Sequence, residues 1–179
     1  TKSPFSTDDR TDHPITLYGI TKKTNELMAY SYSHLYGLRT TGIRFFTVYG
    51  PWGRPDMAMY IFTNKIMNGE QISVYNYGNM KRDFIYIDDI IKGTRAACSK
   101  NYKYDVFNLG NHKSENLIDM IGMIEECLGK KANIDFQPMQ PGDAPESFAD
   151  IEKSIKLLNF KPTTDISQGI PQFITWYRA

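Results

Sequence analysis

Tyr18 stands four residues before Lys22 in Leu17-Tyr-Gly-Ile-Thr-Lys-Lys-Thr-Asn-Glu26, at the opening of a stretch with helical spacing. On a helix, positions i and i+4 share a face. The ammonium can then sit beside the phenol and favour its anion. A phenolate so placed can take the proton of a sugar or alcohol hydroxyl. The pattern is short, and with 12 tyrosines and 14 lysines in 179 residues about one such pair arises by chance. A second pair, Tyr77 and Lys81, spans Gly78-Asn79; that is a turn signal, so its two side chains need not share a face.

Other candidates bind rather than react. Gly50-Pro-Trp-Gly-Arg-Pro-Asp-Met57 leaves an apolar β-rich run, and ligands of open α/β sheets sit where loops leave the carboxyl ends of strands. Arg54 stands there between Gly53 and Pro55, and a guanidinium fork suits a carboxylate or phosphate. The plainer alternative is a surface arginine in a turn. Thr47 could donate a hydroxyl to the same anion, or simply fill a strand. Arg82, in Arg82-Asp-Phe-Ile-Tyr-Ile-Asp-Asp89, could grip a diphosphate or pair with Asp83 or Asp88. Asp88 and Asp89 are most simply acids at a helix start. Asp143 closes Gln140-Pro-Gly-Asp143 and could accept from ribose hydroxyls, or be an Asx-type turn residue. Tyr75 ends a strand and could stack on a base, although a packed aromatic is the commoner outcome.

The elements that must position these residues read as α/β. A loop over Thr1–Pro14 leads to a helix from about Thr16 to Tyr36, with Gly37 as its stop. Gly42 to Gly50 suits a buried strand of a parallel sheet. A helix over Met57–Asn68 follows, then short strands at Ile72–Tyr75 and Asp83–Ile87. A helix runs to about Lys100, then a strand at Val106–Leu109, a helix ending at Leu128-Gly129 and a strand at Ile134–Phe136. Short helices at Glu152–Leu158 and Ser167–Tyr177 close the chain, and Pro171 sits awkwardly inside the last. Strands alternating with helices argue α/β. Only two or three strands have the character of a parallel core, and no glycine-rich phosphate turn occurs. The sheet looks like half of a larger one.

Bulk properties remove several classes. A length of 179 residues carries one real core. A net charge of +1 with scattered basic residues gives no electrostatic case for nucleic acid or an anionic membrane. Cys98 and Cys127 lie far apart, and His13, His34 and His112 share no metal-ligand spacing. No apolar run reaches membrane-spanning length and no signal peptide opens the chain, so a reducing cytoplasmic setting is expected. The abrupt start at Thr1-Lys2-Ser3 without Met reads as a fragment.

Taken in order, the Tyr-x-x-x-Lys pair, Arg44-Phe-Phe-Thr-Val-Tyr-Gly-Pro51, Arg82-Asp-Phe-Ile-Tyr-Ile-Asp-Asp89, Asn108-Leu-Gly110 and Gln140-Pro-Gly-Asp143 resemble the extended short-chain dehydrogenase/reductases. Pro4-Phe-Ser-Thr-Asp-Asp9 and Gly50-Pro-Trp-Gly-Arg-Pro-Asp-Met57 are most similar to the NAD-dependent UDP-glucuronate 4-epimerases. The resemblance implies a partial Rossmann-type sheet plus a small sugar-nucleotide-binding domain. Residues 1–50 and 83–112 would belong to the NAD-binding domain, and 51–82 and 113–179 to the UDP-sugar domain. It implies Tyr18 as catalytic base with Lys22 its partner, both also touching NAD with Phe46 beside it. Thr47 and Arg54 would meet the sugar carboxylate, Asp56 and Met57 the nucleotide through their backbone. Tyr75 would face uracil, Arg82 the diphosphate and Asp143 the ribose. Relatives dimerise through the helix matching residues 16–36.

The implied reaction is oxidation and re-reduction at C4 through a 4-keto sugar. Family members place the glycine-rich NAD loop and the hydroxyl partner of the tyrosine upstream of the position of Thr1. The amino-terminal NAD-binding half is thus expected to be absent and the chain alone incompetent, with the Gly42–Tyr49 strand short of a neighbour. Two rivals stand: a UDP-glucuronate decarboxylase or sugar-nucleotide dehydratase of the same superfamily, and a truncated, non-catalytic binding or assembly module.

Overall fold

The computed structural model describes residues 3–179; Thr1 and Lys2 of the expected opening loop lie outside the described residues. The chain runs α1 (Leu17–Tyr36), β1 (Thr40–Phe45), β2 (Thr47–Tyr49), α2 (Ala58–Asn68), β3 (Gln71–Val74), β4 (Lys81–Arg82), β5 (Phe84–Tyr86) and α3 (Ile87–Ser99). It continues through β6 (Tyr104–Leu109), β7 (Glu115–Asn116), α4 (Leu117–Leu128), β8 (Asn133–Phe136), β9 (Glu146–Ser147), α5 (Glu152–Leu158) and α6 (Ile166–Arg178). The class is α/β, with short parallel pairings.

β1 lies parallel to β6 with Thr40 opposite Tyr104, and β2 lies parallel to β5 with Thr47 opposite Phe84. The single strand expected from Gly42 to Gly50 is therefore two, split at Phe46, where the chain changes partner. The Phe46 amide bonds Leu109 and the Thr47 amide bonds Asp83. β1 is paired on one edge only among the described strands, which is why its residues stay half-exposed despite their apolar character. β3 and β8 form a second parallel pair, and β4 sits between β7 (antiparallel) and β9 (parallel).

Two apolar clusters result. β5 feeds both, because successive strand side chains point to opposite faces. Phe84 and Tyr86 join Ile66, Ile72, Met120, Ile124, Ile170 and Phe173 between α2, α4 and α6. Ile85 joins Ile90, Phe107, Leu109, Leu158 and Phe160 between α3, β6 and α5. The helix boundaries follow local chemistry. Thr16 caps α1 through its hydroxyl, and Gly37 ends it at φ 67°, a left-handed angle that costs a glycine nothing. Asp165 and Gln168 form a capping box on α6. Pro171 does not end α6, because it lies on the exposed face, where the Ser167 carbonyl that loses its donor can be hydrated. Asp88 and Asp89 do fall in the first turn of α3, but the Asp89 carboxylate turns away and accepts from the backbone of Thr163 and Thr164.

Candidate active site

Tyr18 and Lys22 fall on the first two turns of α1, and the ammonium lies 5.0 Å from the centre of the phenol ring. The pair shares one face, as the spacing requires, and the phenol is 71% exposed rather than sealed in packing. Both line a groove of about 560 Å3 between α1 and β1, with Glu26 and Arg44. Glu26 continues the same helical stripe as Tyr18 and Lys22, and takes Arg44 in a two-point pair at 2.7 and 2.9 Å. Arg44 holds the Glu26 carboxyl below the ordinary range against its partial burial, and Glu26 raises Arg44 in return. This pair ties α1 to β1. The i+4 step from Lys22 to Glu26 carried the signal for it.

A second groove, of about 480 Å3, shares Glu26, Arg44 and Phe45 with the first and adds Phe46, Thr47, Met57 and Arg82. A third, of about 500 Å3, shares Thr47, Met57 and Arg82 and adds Asp56, Tyr75 and Asp143. The three adjoin through these shared wall residues and together make up a trough. Phe46 lies in its middle part, half-buried against the α3–β6 cluster. Six of the seven residues singled out for a sugar nucleotide (Thr47, Asp56, Met57, Tyr75, Arg82 and Asp143) line the third groove together. They come from five different segments.

Arg54 is the exception. It lies on the exposed loop before α2, held by Asp56 in a two-point pair, 3.0 Å between Nε and Oδ1. Its guanidinium is raised chiefly by the hydrogen bond to Asp56. Trp52, on the same loop, takes a left-handed φ of 62° and sets its ring 5.5 Å from that of Trp176.

Sequence reasoning missed the floor of the third groove. Ala58, Ile61, Phe62 and Lys65 of α2 line it with Met80, Phe84 and Leu117. The spacing 58, 61, 62, 65 is a helical stripe and was the available signal. α2 begins at Met57 without a side-chain cap, and Asp56, Met57 and Ala58 all border the groove.

Arg82 and Asp83 divide the labour of a strand. Arg82 faces the trough, where its Nη2 meets Asp143 Oδ1 at 2.7 Å. Asp83 is fully buried, and its carboxylate accepts from the amides of Asn111 (2.6 Å), His112 (3.2 Å) and Ala149 (3.0 Å). Burial pushes this carboxyl above its ordinary value, and the three amides only partly offset that. Asn108 plays a matching part, donating to the carbonyls of Phe5 and Asp150.

Tyr77 and Lys81 stay outside the trough; Tyr77 sits in the turn expected there, at φ 53°. Among the described residues no group of three or more His, Cys, Asp or Glu could hold a metal ion. No helix is long and apolar enough to cross a membrane.

Residues 1–110 match the family model of the NAD dependent epimerase/dehydratase family. An uncharacterized protein of Methanocaldococcus jannaschii is 52% identical over 176 residues, covering 98% of this chain and 54% of that protein. UDP-glucuronate 4-epimerase 4 of Arabidopsis thaliana is 44% identical over 194 residues, covering 99% of this chain and 44% of its own. The crystal structure of UDP-glucuronic acid 4-epimerase from Bacillus cereus, in complex with UDP-glucuronic acid and NAD, superposes with a TM-score of 0.93 at 33% identity. That match covers 99% of this chain and 57% of the other. The chain thus spans about half the length of the relatives it matches.

Proposed function

Since the chain belongs to the NAD dependent epimerase/dehydratase family, we propose that it is the sugar-nucleotide-binding and proton-transferring part of an enzyme that epimerises UDP-glucuronate at C4 to UDP-galacturonate. The observation that carries this is the third groove. An apolar floor for a base, a tyrosine at its edge, an arginine beside an uncapped helix start, and a carboxylate within reach of a ribose converge there. A nucleoside diphosphate is the ligand such a set recognises. In this reading residues 1–50 and 83–112 belong with the NAD-binding domain, and 51–82 and 113–179 with the substrate domain. The two apolar clusters follow that division in part: Tyr49, Phe84 and Tyr86 of the first part pack into the larger cluster, and Ala149 to Phe160 of the second pack into the smaller.

The residues present suit one end of NAD. The Lys22 ammonium and Tyr18 hydroxyl are donors fit for ribose hydroxyls beside an open groove, and Phe46 offers an apolar neighbour. No glycine-rich phosphate turn occurs in the 179 residues. Bound NAD would supply the acceptor and donor of hydride. Tyr18 takes the proton from the C4 hydroxyl oxygen as the carbonyl forms, and Lys22 stabilises the phenolate. The 4-keto sugar turns about its diphosphate, held at Arg82, so that the other face of C4 would meet the hydride donor, and Tyr18 returns the proton to the C4 oxygen. Thr47 and Arg54 select the carboxylate, which requires Arg54 to exchange Asp56 for the sugar acid. That exchange is cheap, because both partners are exposed. Homodimerisation is assigned to residues 16–36, whose Leu17, Leu27 and Leu35 are all more than half exposed.

The test has two arms. The 179-residue chain should bind UDP-glucuronate more tightly than UDP-glucose by calorimetry, with Arg54→Ala erasing roughly a tenfold preference. It should give no turnover with NAD alone, but form UDP-galacturonate when joined to the glycine-rich NAD-binding part of a relative. Release of carbon dioxide with UDP-xylose or a 4-keto pentose would instead assign decarboxylation, and equal affinity for both sugars would remove the carboxylate reading.

A further inference from the structure

The Arg82 side chain is 18% exposed, and its partner Asp143, in the loop joining β8 to β9, is 40% exposed. The two residues are 61 positions apart in the chain, so no local turn brings them together. The loop is held at its two ends by backbone bonds, Gln137 to Val74 and Tyr77 (2.9 and 3.0 Å) and Lys81 N–H to the Pro145 carbonyl (2.8 Å), and between them Arg82 holds Asp143. Arg82 gives a second hydrogen bond to the carbonyl of Lys81, and the bonded oxygen of Asp143 also accepts from the amide of Ala144. A cation on a largely covered side chain favours an anion beside it. In the free chain the carboxylate of Asp143 is that anion.

We infer that Asp143 is a built-in competitor for the anion subsite at Arg82, displaced when a diphosphate enters. The inference deepens the reading of the trough as a uridine-diphosphate site and rests on it. A diphosphate brings more charge and a two-point geometry that a single carboxylate oxygen does not match. Exchange frees Asp143, which still borders the groove, to accept from ribose hydroxyls. One carboxylate then links the two halves of the nucleotide: filling the phosphate subsite creates the ribose acceptor. Binding of the halves must be reciprocally favourable. The exchange also loosens the loop, since the Arg82 bond to Asp143 between its two backbone-held ends is given up.

The experiment uses inorganic pyrophosphate and uridine as separate probes on the 179-residue chain, titrated singly and together by calorimetry or NMR. Pyrophosphate is expected to tighten uridine binding roughly fivefold, and to speed amide exchange over 137–145. Asp143→Asn should bind pyrophosphate about fivefold more tightly and uridine more weakly, with coupling between them lost. Circular dichroism checks that the variant is folded, and the coupling in the unaltered chain needs no variant at all. Independent binding of the two probes to the unaltered chain, or pyrophosphate binding unchanged or weakened in a folded Asp143→Asn, overturns the exchange alone. Failure of the unaltered chain to bind either probe overturns the exchange together with the nucleotide reading beneath it.

Discussion

Adjacent residues of one short segment do opposite work, and the alternation of a strand is the reason. Arg82 faces the trough, while Asp83 turns inward to gather the amides of Asn111, His112 and Ala149. Through its own backbone Asp83 also receives the amide of Thr47 and donates to Ser147. The residue thus fixes two members of the candidate site, Thr47 and Arg82, without touching a ligand. Asp83→Asn keeps the shape but sets an amide NH2 against buried donors. It is expected to lower unfolding stability by at least about 2 kcal/mol in urea titration; a loss under about 0.5 kcal/mol would deny it this role. Position 110 shows the same crowding, for a side-chain carbon there would lie 2.6 Å from the Asp83 carboxylate.

Among the elements, α6 is the best determined from the chain alone. Its apolar stripe (Ile166, Ile170, Phe173 and Ile174) is buried, and its start is set by Asp165. Lys113, and then the amide and hydroxyl of Ser167, pull the Asp165 carboxyl down to about 2. A carboxyl lowered on folding adds stability above its unfolded value of about 4 and loses it as pH falls toward the folded one. The melting temperature of the natural chain should therefore fall between those two pH values more steeply than that of Asp165→Asn. Asp165→Ala should cost about 1 kcal/mol at neutral pH; equal pH profiles for the natural and Asn chains would exclude the mechanism. Gly169 is the element's tightest point, because a side-chain carbon there would lie 2.0 Å from the Tyr49 hydroxyl oxygen. Gly169→Ala should destabilise by about 1–3 kcal/mol through forced displacement of that ring, read as a lower urea midpoint. The strand from Gly42 was less legible. Its apolar character announced a strand, but the switch of partner at Phe46 depends on where β6 ends and β5 begins.

For the whole molecule the imbalance lies in α1. Twenty residues long, it buries only Ser33, and leaves Leu17, Ile20, Leu27, Met28, Leu35 and several tyrosines exposed. α4 and α6, by contrast, are sandwiched within the larger cluster. Local opening is easiest where buried apolar contacts are few. At concentrations where the chain is monomeric, amide exchange in α1 should accordingly outpace that in α4 and α6 by roughly tenfold or more. An apolar surface of this kind also favours association, so Leu27→Glu with Leu35→Glu should shift sedimentation toward the monomer. Exchange in α1 as slow as in α4 would show a helix protected in solution by association or packing.

The linear sequence settled whatever depends on spacing along one segment. Tyr18, Lys22 and Glu26 fall on one face because a helix repeats that way, and Arg82 and Asp83 diverge because a strand does. The ordered motifs also carried the resemblance to the family that the match over residues 1–110 bears out. The sequence left open which distant residues meet. That Arg82 closes on Asp143 and that Asp89 accepts from the amides of Thr163 and Thr164 were decided by packing. Each is a choice among several chemically equivalent partners, and only the relative placement of β4, α3 and the later loops selects one. Spacing specifies faces; burial and the demand that every buried charge find a partner specify contacts.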